Sequence, residues 1–412
     1  MWRDRDFRRL WVGQTVSQLG EHTTLVVLPL YAVLTLDADA GELGVLRAVG
    51  QAPILLLSLL AGAWVDRWRT RTVMVWADTG RALALGAAAA AGLLGALGLP
   101  ALLVTAFAVG ALSVFFDVAY QASLVRLVER DQLVRGNSAL EGSRSAAQIA
   151  GPALGGVLVS LLTAPIAAAS CALPFALSFL SIRRMRRREP VPKLSPRPPR
   201  VRRRILAGLR FVAADRALRT VCLASAAFQF SLAAMMTVYL LFLPRELHLS
   251  GPEVGLALAA TGPGALLGSL LAARLPGRFG HGVVLVAAAL GDGAFLVVPA
   301  LHGPTAATVL ALVAVSLVFG TFGQLVNVTV MGVRQALTPY GMQGRVAATI
   351  TFAGMGLTPL GSLLGGFLAD QWGLRVSLAA TAAGMLLSPS LMALSPLARL
   401  GRTLPARRVL MD

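Results

Sequence analysis

Residues 183–204 read Arg183-Arg184-Met185-Arg186-Arg187-Arg188-Glu189-Pro190-Val191-Pro192-Lys193-Leu194-Ser195-Pro196-Arg197-Pro198-Pro199-Arg200-Val201-Arg202-Arg203-Arg204. Five of the first six residues are Arg, and five prolines follow within ten positions. Charge is costly in hydrocarbon and each proline removes a backbone donor, so this stretch neither crosses a bilayer nor packs a core. It reads as a solvated linker. On either side the composition inverts, because residues 164–182 and 220–244 contain no charged side chain. Just past the linker, Ile205, Leu206, Leu209, Phe211 and Val212 interleave with Arg210, Asp215 and Arg216. That spacing predicts a short amphipathic helix lying on the membrane surface.

The rest of the chain resembles the flanks, not the linker. Of its 412 residues 56% are hydrophobic and 14% charged, with a mean hydropathy of +0.72, more apolar surface than a soluble core absorbs. A crossing helix needs about 20 apolar residues. Cutting at charge and at Pro and Gly clusters leaves twelve such runs, near 10–35, 43–65, 72–97, 100–125, 137–161, 164–182, 220–244, 252–274, 281–301, 304–333, 346–370 and 374–396. The expected fold is an all-α integral membrane protein of twelve transmembrane helices in two six-helix bundles. Residues 1–183 form the first bundle, 184–218 the basic Pro-rich linker with its short helix, 219–398 the second bundle and 399–412 a basic tail. The apolar run after Arg9 is longer than a signal-peptide core and lacks a cleavage site, so it is expected to stay as the first span.

The distribution of charge orients the spans. With the N-terminus inside, 32 of the 37 Lys and Arg residues fall on the cytoplasmic side, and only Arg47, Arg245 and Arg375 fall opposite, where Asp37, Asp39 and Glu42 make the first outer loop acidic. The positive-inside rule therefore places both termini in the cytoplasm of a cell inner (plasma) membrane. The same distribution argues against nucleic acid as partner for the net charge of +18, which is spread between apolar runs and builds no basic face. Cys171 and Cys222 lack the spacing of a metal site or disulfide scaffold.

The halves echo one another at an offset of roughly 210 residues: Gly151-Pro152-Ala153-Leu154-Gly155-Gly156 in span five corresponds to Thr358-Pro359-Leu360-Gly361-Ser362-Leu363-Leu364-Gly365-Gly366 in span eleven. Repeats of this kind create a substrate route between halves that rock to expose it alternately to either side. The loop between spans two and three reads Gly62-Ala63-Trp64-Val65-Asp66-Arg67-Trp68-Arg69-Thr70-Arg71, one acid among three Arg. A carboxylate there accepts hydrogen bonds from guanidinium groups and from a helix N-terminus, and breaking them biases a two-state equilibrium.

That loop resembles the cytoplasmic signature of the major facilitator superfamily, Gly-x-x-x-Asp-Arg-x-x-Arg, which locks the cytoplasmic ends of helices. The resemblance implies a gate formed by Gly62, Asp66, Arg67 and Arg71, with the i, i+3 pair Asp78 and Arg81 close enough to join it. The corresponding loop of the second half, Ala272 to Gly280, keeps Arg274 and Arg278 but lacks the Asp. Gly151, Pro152, Gly155 and Gly156 resemble the span-five motif of the antiporter branches, although Ser138 and Ala147 stand at upstream positions often occupied by Gly. Phe7 to Trp11, Gln14 to Glu21, Phe116-Asp117 and Gly136-Asn137-Ser138 add a likeness to the macrolide-efflux and enterobactin-exporter group. It covers essentially the whole chain.

Ionisable residues inside spans are the candidates for function. Glu21 lies about 16 Å into span one at ~1.5 Å per residue, and is the first candidate for a proton carrier or for the partner of a cationic substrate. Asp117 sits in the cytoplasmic half of span four, and Glu141 and Arg144 share a face of span five. These groups can equally form structural ion pairs that carry no proton. Asp292, between Gly291 and Gly293, is the deep acid of the second half, while Gln18 and Gln229 offer polar contacts. No Gly-x-x-x-x-Gly-Lys-Ser/Thr motif occurs, which argues against direct use of nucleotide, and no catalytic constellation or cofactor is indicated. The expected function is secondary active transport: a monomeric, proton-coupled exporter of drug-like or siderophore-like small molecules. The alternatives are an importer or facilitator of a small metabolite with the same fold, or a receptor or scaffold that no longer transports.

Overall fold

In a computed structural model the described residues are 2, 4–65, 68–127, 133–185, 201–339 and 342–402. Every regular element among them is helical. Eight stretches are long and apolar enough to cross a membrane: Ala40–Ser58, Leu99–Leu124, Pro165–Arg183, Arg216–Arg245, Gly251–Ala272, His281–Ala300, Ala306–Leu337 and Ala348–Ala393. The last has 46 residues, ~69 Å as a straight helix against a hydrocarbon core of about 30 Å. Gly373, at φ 75°, breaks it where a return turn is needed. Three further helices have the length but not the hydropathy: α1 (Arg5–Thr35), α3 (Thr70–Leu93) and α5 (Leu133–Leu161). They carry the polar side chains discussed below, and the expected twelve is reached only by taking all three as crossings and Ala348–Ala393 as two.

The chain divides into two units. The first, Met1–Leu194 with Leu249–Ala259, holds α1, α2 (Ala40–Val65), α3, α4 (Leu99–Leu127), α5, α6 (Ala164–Arg183) and, from later in the chain, α9 (Gly251–Ala259). Here α1 packs on α5 and α6, α3 on α4 and α6, and α2 on α4. Small residues set these distances. A Cβ on Gly151 would stand 2.5 Å from His22 Cβ, and one on Gly155 would stand 3.2 Å from the Thr23 carbonyl, so α5 lies directly on α1.

The second unit, Ser195–His248 with Ala260–Asp412, holds α7 (Val201–Ala214), α8 (Arg216–Arg245), α10 (Thr261–Ala272), α11 (Leu275–Phe279), α12 (His281–Leu290), a 3-10 segment (Gly291–Ala300), α13 (Ala306–Leu337), α14 (Gln343–Gly356), α15 (Thr358–Met385) and α16 (Leu387–Ala393). A Cβ on Gly361 would meet the Phe230 carbonyl at 2.2 Å, and one on Gly365 the Ala234 carbonyl at 2.3 Å, so α15 lies on α8 as α5 lies on α1. The sequence echo between the halves thus has a common physical content: in each, glycines close to the Pro seat the motif helix on the first long helix of its half.

The short helix expected after the linker forms. Val212 is buried and a Cβ on Gly208 would stand 2.7 Å from Thr349 Oγ1, so α7 packs on α14. Its missing side chain at Gly208 is what permits that approach. Backbone contact is closest where α10 crosses α13: a Cβ on Gly320 would stand 2.1 Å from the Thr261 carbonyl, and one on Gly264 2.2 Å from that of Leu317. Gly320→Val is therefore expected to separate these helices and destabilise the protein by about 1–3 kcal/mol. A wild-type unfolding temperature in detergent would refute that.

Candidate functional site

Four helices of the first unit aim polar side chains at one buried point. Arg81, on α3, is its centre and is 0% exposed. It lies one turn beyond Asp78, and the two form an ion pair. Ser17 of α1 donates to Asp78 Oδ1 at 3.1 Å and accepts from Arg81 Nη2 at 2.9 Å. Ser113 of α4 accepts from Arg81 Nη1 at 3.1 Å, and Ser178 of α6 donates to Asp78 Oδ2. The rings of Phe116 and Phe175 stand against the guanidinium, with centroids 4.5 and 4.4 Å from Cζ. A buried guanidinium over aromatic faces gains from their quadrupoles.

Glu21 stands at the edge of this network. It is near the middle of the 31-residue α1, ~24 Å from Arg5 and ~21 Å from Thr35. Its Oε2 is 3.7 Å from Arg81 Nη1, within ion-pair range but too far to accept a hydrogen bond. Among the described residues that oxygen has no hydrogen-bond partner, and the side chain is 22% exposed. Asp117, Arg81 and Arg144 are the charges that act on it. Asp117 in turn accepts from Gln18 Nε2 at 3.0 Å, while Ser143 of α5 donates to Gln14 Oε1 at 2.9 Å. Counted over the described side chains, the cluster holds three carboxyls, Glu21, Asp78 and Asp117, against two guanidiniums, Arg81 and Arg144. Among these described side chains the carboxyls outnumber the guanidiniums by one.

The grouping differs from the sequence reading in one respect. Asp78 and Arg81 were expected beside the loop joining α2 to α3, yet both are fully buried in the interior cluster. The reason is helical rise: Arg81 lies ten residues, ~15 Å, along α3 from Arg71. Arg71 itself donates to the Arg183 carbonyl at the end of α6. Asp66 and Arg67 lie outside the described residues, as does the side chain of Glu141. Gln229 and Asp292 belong to the second unit, where Gln229 packs beside Gly354 and Asp292 is buried at the start of the 3-10 segment.

The serine hydroxyls and the two phenylalanines were not singled out as partners of Arg81 from sequence. The signal was present as helical spacing: Ser17 lies four residues before Glu21, Ser113 four before Asp117, and Phe175 three before Ser178.

This arrangement of glycine-seated helices around buried charge can be set against known proteins. A model of the family described as Transmembrane secretion effector, a group of major facilitator proteins, matches residues 2–407. The chain belongs to the major facilitator superfamily. It is 29% identical over 394 residues to the multidrug efflux pump Tap of Mycobacterium tuberculosis (strain ATCC 25618 / H37Rv), covering 89% of this chain and 88% of that protein. An uncharacterized major facilitator transporter of Bacillus subtilis (strain 168), YceJ, is 26% identical over 368 residues, covering 87% and 89%. Among solved structures, the nucleoside transporter NupG superposes with a TM-score of 0.74 at 14% identity, covering 94% of this chain and 98% of that one. A bacterial homologue of the iron transporter ferroportin, facing inward, gives 0.73 at 17% identity with coverage of 94% and 98%. As a superfamily member the chain is a multi-pass membrane transporter and not an enzyme.

Proposed function

We propose that this transporter is a proton-coupled exporter of cationic, drug-like small molecules, with Glu21 as the group at which proton and substrate exchange. The observation that carries the reading is the missing positive charge of the buried cluster. Three carboxyls facing two guanidiniums leave a deficit that one proton or one monovalent organic cation offsets, and buried charge left uncompensated is costly. Glu21 is the member free to make that exchange. Asp78 has its oxygens occupied by Ser17, Ser178 and Arg81, and Asp117 is bonded to Gln18, whereas Glu21 Oε2 is buried without a hydrogen-bond partner among the described residues, on a side chain that is 22% exposed. Similarity to Tap, named a multidrug efflux pump, supports the outward direction and the substrate class. The concentration of Arg in one set of loops supports an orientation with both ends in the cytoplasm.

In this reading, binding of a cation beside Glu21 expels its proton on one face, and reprotonation on the other releases the cargo. Alternating access separates the two events. The test is Glu21→Gln in everted vesicles carrying an imposed pH gradient. Proton-driven accumulation of ethidium should fall by roughly tenfold to a hundredfold. Wild-type accumulation by the variant would overturn the assignment. Accumulation that is unaffected by the gradient in the wild type would overturn proton coupling itself, and accumulation only in right-side-out vesicles would make the protein an importer.

A further inference from the structure

The second unit contains a carboxyl that the proposed exchange at Glu21 does not use. Asp292 is 2% exposed, and its Oδ1 has no hydrogen-bond partner among the described residues. It sits where α12 gives way to the 3-10 segment Gly291–Ala300. The residues flanking it in the chain pack against apolar side chains. A Cβ on Gly291 would stand 2.5 Å from the Phe322 ring, and one on Gly293 3.2 Å from Leu386. One turn on, the buried ring of Phe295 meets Tyr239 and Phe319 edge to face, at centroid distances of 5.3 and 5.1 Å.

A lone carboxylate in such a place needs a cation, so the charged groups of each neighbouring element decide what that cation is. On α12 the titratable group is His281, eleven residues and ~16 Å away along the axis. On α13 it is Arg334, twelve residues or ~18 Å beyond Phe322, the residue level with Gly291. On α15, Arg375 is eleven residues, ~16 Å, before Leu386. It is also engaged elsewhere, donating to Glu246 Oε2 at 3.0 Å and to the Pro299 and Leu301 carbonyls at 2.7 and 3.0 Å. Asp370 lies on the far side of the Gly373 break. From α8 the nearest such group is the Tyr239 phenol on Phe295, with Arg245 six residues further along.

None of these can neutralise Asp292. Metal ions such as Mg²⁺ or Ca²⁺ require about six or more oxygen ligands, and no cluster of three His, Cys, Asp or Glu residues occurs among the described residues. An organic ammonium has no room beside a side chain that is 2% exposed. A proton is the cation that fits.

We propose that Asp292 carries a proton in this conformation and yields it when the 3-10 segment rearranges, making it a second exchange site, in the unit that does not contain Glu21. The step is simple: the carboxylic O–H breaks heterolytically, the electron pair stays on the carboxylate, and the proton passes to a water molecule admitted when the segment rearranges. The 3-10 segment is suited to admit it, since i→i+3 hydrogen bonds are poorer than those of an α-helix and mid-helix stretches of them often mark hinges. For its link to transport this proposal rests on the proton-coupled reading. The claim that Asp292 binds a proton does not.

The experiment is acid-minus-alkaline infrared difference spectroscopy on the full chain in lipid nanodiscs. Asp292→Asn should lose one protonated-carboxyl band that Glu21→Gln retains. Because an amide replaces a neutral acid nearly isosterically, Asp292→Asn should also keep the wild-type unfolding temperature. An unchanged band pattern in Asp292→Asn overturns the proposal, and so does a large loss of stability, which would reveal an ion pair. If that variant is not recovered, labelling of wild type with dicyclohexylcarbodiimide, read by mass spectrometry, makes the same decision. Modification at Asp292 that declines as pH rises supports the proposal, and none at any pH overturns it. If Asp292 gives up its band while ethidium transport ignores the pH gradient, proton coupling fails and the protonation site stands.

Discussion

Arg81→Ala is expected to abolish transport and to destabilise the first unit by about 3–5 kcal/mol, the cost of breaking a buried ion pair by removing one partner. Both Asp78 and Arg81 are fully buried, so the carboxylate left behind has no route to water. Ser113 loses its donor, the Phe116 and Phe175 rings face a void, and Glu21 loses the cation 3.7 Å away. Arg81→Lys should recover the charge but not the function. A compact ammonium cannot reach Ser17, Ser113 and Asp78 with the spread of a guanidinium, nor offer a planar group to the Phe116 and Phe175 rings. Exchanging both Asp78 and Arg81 for Met removes the fully buried pair together, leaving only the half-buried Glu21 without its cation, and is expected to restore part of the stability while transport stays absent. Unfolding followed by the fluorescence of the six tryptophans, beside vesicle transport of the same preparations, distinguishes these outcomes. An Arg81→Ala protein with wild-type stability would mean that the pair contributes nothing to the unit.

Apolar run length was enough to identify an all-helical membrane protein, because lipid demands long uninterrupted apolar runs and the stretch at 183–204 interrupts them so sharply. It was also enough to single out Glu21, Asp117 and Arg144, since charge in such runs is conspicuous. What it did not disclose is which charges share a space. Asp78 and Arg81 were close in sequence to a charged loop and were grouped with it, although Arg81 belongs with Ser17, Ser113 and Ser178, which come from three other helices. Single serines in apolar helices are too common to stand out until packing brings them together. The same holds for α9. Its residues follow the linker and read as part of the second half, yet Gly251 and Gly255 seat it on Gly156 and Ser160 of α5. Contacts of that kind depend on the absence of side chains, which leaves little in a sequence to read.

Gly156→Leu is the second substitution with a large expected effect, and it acts through that seat. A Cβ at Gly156 would stand 2.5 Å from Gly255 Cα and 2.6 Å from the Gly251 carbonyl; one at Gly255 would stand 3.0 Å from Gly156 Cα. Backbone lies on both sides of the contact, so no flexible side chain can give way. Nor can α5 retreat, because one face of the same helix is already fixed on α1 through Gly151 and Gly155. The added isobutyl group must therefore displace α9. Overpacking of this kind costs about 1–3 kcal/mol, which a whole bundle can survive, whereas a helix displaced from its partner cannot return to a close-packed state in each cycle. Transport should fall by roughly tenfold or more while the protein remains folded in detergent. Gly142 provides the control on the same helix, since nothing lies within 4 Å of its virtual Cβ. Gly142→Ala should transport normally and gain up to about 1 kcal/mol from helix propensity. If both variants transport equally well, the tight approach of α9 to α5 is dispensable, and the small-residue motif at Gly151 to Gly156 serves only to hold α5 against α1.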